Sequence, residues 1–374
     1  MKKYVISAIF SISLVASFVA GFQLKRLNIS NLVNVRRSNP AAPLHIPTYD
    51  GSNYGLHPKC LYFRDCWRGH KYWFVFTPYA DMNDAMENPC IYTSEDGLDF
   101  APVRTAYPLD NIDMDCTCEY NSDPHLVYNN DLDRIECWWR KVYTDKCSNR
   151  ELRNSEIIYR SYSADGKNWS KREIIYIFKN PINETRGFIS PAILYEAGRY
   201  MIWCCNIPDA DGENRNLDYY EYINGDTVIH KQRTEFRDIA LSHLDVIKKD
   251  SVYYLIAQDI HVDGYPYYLY TFTDPLKADY DCRGNVLVAG CNNSWDGSRL
   301  YRPSLTVVDD KWRLYYSAYN GDNGRNCNCG VIEFSEWTDI APVIEVEKKM
   351  SLYRDLYHSI KSTVKSLGKK LTHH

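Results

Sequence analysis

The 374-residue sequence predicts an all-β fold, a five-bladed β-propeller, on three observations. One short pattern recurs five times, two further strand-like runs follow each recurrence, and nothing between them has the length and period of a long helix. The pattern is a polar residue, usually a proline, a short apolar strand, a turn and an aromatic-rich strand. It reads HPKCLYFRDCWRGHKYWFVFTPY from His57, DPHLVYNNDLDRIECWWRKVY from Asp123 and SPAILYEAGRYMIWCCN from Ser190. It returns as HLDVIKKDSVYYLIAQD from His243 and RPSLTVVDDKWRLYYSAYN from Arg302, with starts 66, 67, 53 and 59 residues apart. Four strands in each of five units make a propeller, whereas a pair of β-sandwiches leaves five recurrences of one order unexplained.

The elements follow in chain order. Met1 to Lys3 are basic and Tyr4 to Phe22 form an uncharged stretch of 19 residues, followed by Lys25 and Arg26. This is an export signal over residues 1–24, either a retained signal anchor that crosses a membrane or a cleaved signal peptide. Either form places the rest of the chain outside the cytoplasm, membrane-anchored or secreted. Residues 25–50, polar and punctuated by Pro-Ala-Ala-Pro, read as a linker or stalk.

The propeller is expected over 51–346. Its later strands are PCIYTSEDG and FAPVRT in blade one, EIIYRSYSADG and REIIYIF in blade two, and LDYYEYING and TVIHKQR in blade three. Blade four offers YYLYTFTD and NVLVAG, and blade five GVIEFSEW and APVIEV. Because all five blades are complete in sequence order, closure is expected from packing of blade one on blade five, without an N-terminal strand. Beyond it, residues 347–374 carry Tyr353, Leu356, Tyr357, Ile360, Val364 and Leu367 at helical spacing among lysines, a basic amphipathic helix.

Composition narrows the function. The 44 basic and 48 acidic residues give net −4, so no global field attracts nucleic acid. The chain holds 32 Tyr, 9 Trp and 12 Phe, residues that fill pleated half-buried surfaces and also offer flat faces to sugars. Thirteen Cys in an exported chain suggest disulfides, although several, such as Cys137 in IECWW, sit in apolar runs as small core residues. No CxxC pairs with another at zinc-finger spacing, so no metal site is read from the cysteines. No cofactor motif is present, and a bound ion in the central channel is left open.

The turn SxDGxxW/F occurs twice, at Ser94–Phe100 and Ser163–Trp169. Its Asp-Gly supplies a positive-φ turn and its aromatic staples the next strand, so these acids are structural. With the five-fold order and the Asp123-Pro124 opening of blade two, these turns resemble the five-bladed propeller glycosidases. That is the β-fructosidase/arabinanase-like superfamily, similar to glycoside hydrolase family 43, with α-arabinofuranosidases and β-xylosidases among its members. The resemblance implies acidic residues at the starts of blades one, two and three. Asp123 matches the blade-two position, which orients and tunes the acid. His57 stands where the base Asp is expected, and Ser190-Pro191 where the Glu acid is expected.

The residues opening the inner strands are His57, Asp123, Ser190, His243 and Arg302, and they are expected to line one polar funnel on the axis. Catalytic candidates are Asp123, His57, Glu87, His243 and Asp245, since glycoside hydrolysis needs two carboxyl groups and a way to move protons. Strand alternation would put Asp245 on the face of His243 and His125 on the face of Asp123. Arg302 would clamp an acidic sugar, Tyr301 would stack on it, and Ser190 and His125 would complete substrate binding. Glu184 and Arg186 are further candidates. The expectation is an exported glycosidase-like enzyme acting on a polysaccharide or glycan. The alternative is a non-catalytic glycan-binding or envelope-polysaccharide assembly propeller, favoured by the missing blade-one and blade-three acids.

Overall fold

Alternating aromatic and polar residues build nineteen strands among the described residues of the computed structural model. The structure describes residues 39–336, apart from 113–114, 180–185, 208–214, 224, 226, 236–238, 278, 291–293 and 321–324. The export segment, most of the linker, the fourth strand expected in blade five and the C-terminal helix lie outside the described residues, as does Glu184. Among the described residues, no helix is long and apolar enough to cross a membrane.

Five antiparallel sheets form, each running outward in chain order from an inner strand. Blade one holds β1 (Gly55–Trp67), β2 (His70–Pro78), β3 (Cys90–Ser94) and β4 (Ala101–Pro102), and blade two holds β5 (Glu119–Asn129), β6 (Arg134–Tyr143), β7 (Ser155–Ser163) and β8 (Glu173–Lys179). Blade three holds β9 (Arg186–Glu196), β10 (Arg199–Ile207), β11 (Asn216–Ile223) and β12 (Ile229–Glu235). Blade four holds β13 (Leu241–Lys249), β14 (Val252–Asp259), β15 (Tyr267–Phe272) and β16 (Asp281–Leu287), and blade five β17 (Arg299–Val308), β18 (Lys311–Tyr319) and β19 (Cys327–Phe334). The inner strands touch in the cyclic order β1, β5, β9, β13, β17 and back to β1. The ring is therefore closed, and its axis is where the five sequence repeats begin.

Aromatic side chains make every junction between blades. Phe63 meets Tyr128 between blades one and two (centroids 5.0 Å apart), Trp138 meets Tyr200 between two and three (4.9 Å), and Trp203 meets Tyr253 between three and four (5.8 Å). Tyr254 meets Trp312 between four and five (4.8 Å), and Phe74 meets Tyr315 between five and one (5.0 Å). Edge-on and tilted pairs at these separations add roughly 0.5–1.5 kcal/mol each beyond the burial of their surface. Much of the tyrosine excess is thus spent on packing sheet against sheet.

Closure of blade five on blade one uses more than face packing. Leu44 donates its N–H to Cys329 O on β19 (2.8 Å), and Ile46, fully buried, joins Leu44 and Tyr49 in the cluster of Phe74, Tyr92 and Tyr315. No strand forms over residues 39–54, but this N-terminal segment adds to the face packing expected of blades one and five. An apolar stretch that reads as the end of a linker covers the exposed edge and face of the last described strand. The disulfide expectation also fails among the described residues, whose cysteines are free thiols. Cys60, Cys90, Cys137, Cys204, Cys205, Cys327 and Cys329 are buried in the sheets as small apolar residues.

Candidate active site

Each inner strand is interrupted at the residue that opens its repeat. Pairing slips between Leu56 and Lys59 in β1, Ser122 and His125 in β5, Ile189 and Ala192 in β9, Leu241 and Leu244 in β13, and Leu300 and Pro303 in β17. These are β-bulges, in which an extra residue leaves the ladder and its side chain is re-aimed. Prolines 58, 124, 191 and 303 stand at four of them, where the absence of an N–H costs nothing. His57 (φ 53°), Asp123 (φ 51°) and Ser190 (φ 49°) also take the left-handed conformation, which costs a non-glycine residue about 1–2 kcal/mol each. The sequence accepts that strain to turn three polar side chains toward the axis.

Asp123 is the centre on which they converge, and it is fully buried. Ser190 Oγ donates to its Oδ1 (2.8 Å), Arg302 Nη1 lies 3.2 Å from Oδ1, and Arg140 Nη2 lies 2.9 Å from Oδ2. His57 Nε2 and His243 Nδ1 stand 3.4 Å and 3.5 Å from the same Oδ1, and Ser190 Oγ also contacts His243 Nδ1. Burial alone would raise the Asp123 carboxyl, but Arg140 and the bonds and charges of His243 and His57 hold it well below the usual carboxylate range. It is ionised. Both imidazoles are also pushed down, His57 well below its ordinary value, because burial penalises the charged ring more than Asp123 supports it. They are neutral at pH 7.

His57 Nδ1 sits 3.1 Å from Thr77 Oγ1, which fixes the ring, while Nε2 is buried with no hydrogen-bond partner. His57, Asp123 and His243 each present a ligand atom within 4.8 Å of the others. Two neutral imidazoles and a carboxylate form a donor set suited to a divalent first-row cation, and the orphaned Nε2 is what such an ion would satisfy.

Glu87, from the loop before β3, is 3% exposed. Its Oε2 has no hydrogen-bond partner, and its carboxyl is pushed well above the ordinary range by burial first, then by Asp84 and Asp123, against a bond from Ser122. A carboxyl that keeps its proton at neutral pH beside an ionised one is the pattern of an acid and its counter-charge. Tyr301 lies with its ring centroid 3.8 Å from that of His243 and 5.5 Å from that of His57, so it packs against the cluster.

Three expectations change. Asp245 does not serve His243: both its oxygens take Lys59 Nζ (2.7 and 2.8 Å), and Oδ2 accepts the N–H of Leu305 (2.8 Å). The bulge at 242–243 breaks the alternation that would have put Asp245 and His243 on one face. His125 is displaced for the same reason, buried with Nε2 3.1 Å from the N–H of Ile193. Arg302 is 1% exposed and is committed to Asp123 and to Pro191 O (3.1 Å), so it cannot clamp a sugar.

Sequence reasoning missed Arg140, which pairs with Asp123 and with Glu156 (3.0 Å). Its signal was present: a charge inside the apolar run CWWRKV has to find a buried partner.

No protein-family model matches the chain. A curated relative, the A type blood N-acetyl-α-D-galactosamine deacetylase of Flavonifractor plautii, is 23% identical over 318 residues, covering 71% of this chain. The chain spans about 40% of the length of that relative. Among solved structures, an N-acetylgalactosamine deacetylase from F. plautii in complex with blood group B trisaccharide superposes with a TM-score of 0.67 at 18% identity, over 79% of this chain and 94% of that one. Xylan β-1,4-xylosidase from Bacillus halodurans gives 0.57 at 13% identity, over 79% and 54%. An α-L-arabinofuranosidase from Lactobacillus brevis gives 0.53 at 13% identity, over 74% and 90%. By fold the chain is a five-bladed β-propeller like those of these glycosidases.

Proposed function

We propose that the protein is a carbohydrate-directed hydrolase that removes an acyl substituent, an N-acetyl group foremost, from a sugar of a glycan. The observation that carries this reading is the cluster of His57, Asp123 and His243, which replaces the paired carboxylates of glycoside hydrolysis with a metal-ligand set. The similarity to a protein named as an N-acetylgalactosamine deacetylase supports it.

His57, Asp123 and His243 would hold a divalent cation, which when bound would supply Lewis acidity toward an acyl carbonyl. The chain's own residues do the rest. Arg140, Arg302 and Ser190 hold Asp123 ionised and oriented. Thr77 fixes His57, leaving Nε2 free to act as a ligand. Glu87 keeps its proton through burial and would donate it to a leaving amine and recover one from the attacking water. Tyr301 packs across both imidazoles and excludes water from that side. We place the domain outside the cytoplasm, tethered or released through residues 1–24; a reporter fused after residue 50 that stays active only in the cytoplasm would refute that placement.

The test is acetate release from N-acetylhexosamine-containing glycans by purified protein, with and without a chelator and with added Zn²⁺ or Mn²⁺. Activity is expected to vanish with chelation and return with metal. Asp123→Asn is expected to lose more than the ~100-fold typical of outer-shell changes. Sugar release without acetate would identify a glycosidase instead, and binding with no product from any glycan would establish the non-catalytic alternative.

A further inference from the structure

Three residues before Arg302 on the same inner strand, Arg299 stands in different surroundings. Its guanidinium lies over the ring of Tyr319, 4.4 Å from the centroid, and 5.7 Å from that of Tyr265. Arg299 and Tyr265 are half-buried, Tyr319 is buried. Arg140 and Arg302, the other arginines of the axis, each pair with Asp123. Arg299 forms no ion pair with a carboxylate among the described residues, and its Nε is buried with no hydrogen-bond partner. A partly desolvated guanidinium without a counter-charge is costly and calls for an anion.

The position ties this charge to the site. Tyr319 packs edge-on against Tyr301 at 5.4 Å, and Tyr301 packs on His243 at 3.8 Å. Two rings, Tyr319 and Tyr301, therefore separate Arg299 from the imidazole. Leu56 and Tyr79 complete the apolar wall around Tyr301 and Tyr319. Flat aromatic faces receive pyranose rings, and a guanidinium braced between two of them presents its donors in a fixed planar fork suited to an oxyanion.

We propose that Arg299, with Tyr265 and Tyr319, forms a subsite for an anionic group, a carboxylate or a sulfate ester, on the sugar adjoining the one that reacts. The inference deepens the carbohydrate reading and rests on it. The acidic-sugar contact expected of Arg302 moves to Arg299, because Asp123 takes the deeper arginine for itself.

The experiment is calorimetry of the full chain with three oligosaccharides: one alternating N-acetylhexosamine and hexuronate, its carboxyl-reduced neutral form, and that neutral form bearing a sulfate ester. At least one acidic probe is expected to bind about 10-fold tighter than the neutral one, with a preference that shrinks as salt rises. Whichever acidic probe is favoured identifies the anion. Arg299→Gln is expected to abolish the preference. Arg299→Lys, which keeps the charge over Tyr319 but loses the fork, is expected to reduce it, with thermal unfolding reporting that both variants fold. Equal affinity for all three probes overturns the subsite and leaves the carbohydrate reading standing. A preference that survives Arg299→Gln overturns the assignment to this residue, and no binding of any probe overturns the carbohydrate reading and the subsite with it.

Discussion

At the scale of single residues, the site is built from opposed pKa shifts. Asp123 is ionised because Arg140, His243 and His57 outweigh its burial; Glu87 is neutral because burial and neighbouring carboxylates surround it. The second shift makes a stability prediction with a definite sign. The Glu87 carboxyl is raised when folded, so its favourable contribution is complete below the ordinary value of 4.5 and is lost as pH rises from there toward the folded value. Over that window the loss approaches about 1.4 kcal/mol per pH unit. Glu87→Gln, which fills the same space without a proton to lose, is expected to be more stable than the natural protein at pH 7 and to fall by roughly 10²–10⁴ in turnover. Urea unfolding at pH 4.5 and 7, paired with the acetate assay, measures both; a variant less stable at pH 7 would contradict the assignment of a neutral carboxyl. The identities of His57, Asp123, Ser190 and His243 as a convergent group were legible, because each opens a repeat. Glu87 was legible only as an acid near a blade, since burial, which decides its protonation, is not a property of sequence.

At the scale of elements, the bulges and the DG turns do the positioning. In the turn at 163–169, Ser163 Oγ accepts the N–H of Gly166 (2.9 Å), and Asp165 Oδ1 accepts those of Lys167 (2.9 Å) and Asn168 (2.7 Å). Gly166 has φ +74°, and a Cβ there would run into the indole of Trp73 on the neighbouring blade. Gly97 does the same job against Tyr315, which donates to Gly97 O (3.1 Å). These turns are therefore contacts between blades as well as hairpin ends. Gly166→Ala is expected to destabilise by at least about 2 kcal/mol, backbone strain and clash together, against about 1 kcal/mol for Gly198→Ala. Gly198 has a similar φ (+80°) but open space around it, so equal shifts in urea midpoint for the two would dispose of the inter-blade role. The turns were recognisable from sequence as structural. The five bulges were not, although the recurring proline marked four of them, and they are the reason period-two alternation misplaced Asp245 and His125.

At the scale of the whole molecule, the axis is a polar column inside a ring of aromatic seams. Below the Asp123 cluster, Lys59 of blade one is locked to Asp245 of blade four, which also accepts the Leu305 N–H of blade five, so one buried carboxylate joins three blades. Asp245→Ala leaves Lys59 charged, 4% exposed and without that partner, and is expected to cost about 3–5 kcal/mol, read as a lower midpoint of a single cooperative urea transition. A shift under 1 kcal/mol would show that the blades do not depend on the pair. The sequence by itself determined the number of blades, their order, the described strands of each and the residues that open the inner strands, because these depend on local patterns repeated five times. The tertiary structure alone decided which charges neutralise one another. Arg140 and Arg302 go to Asp123, Lys59 goes to Asp245, and Arg299 has no counter-charge among the described residues. Arg140 reaches Asp123 from the next strand of its own blade, but the pairings of Arg302 with Asp123 and of Lys59 with Asp245 join residues 179 and 186 positions apart in blades that meet only at the axis, where burial makes an unpaired charge costly, and no local pattern in the chain encodes them.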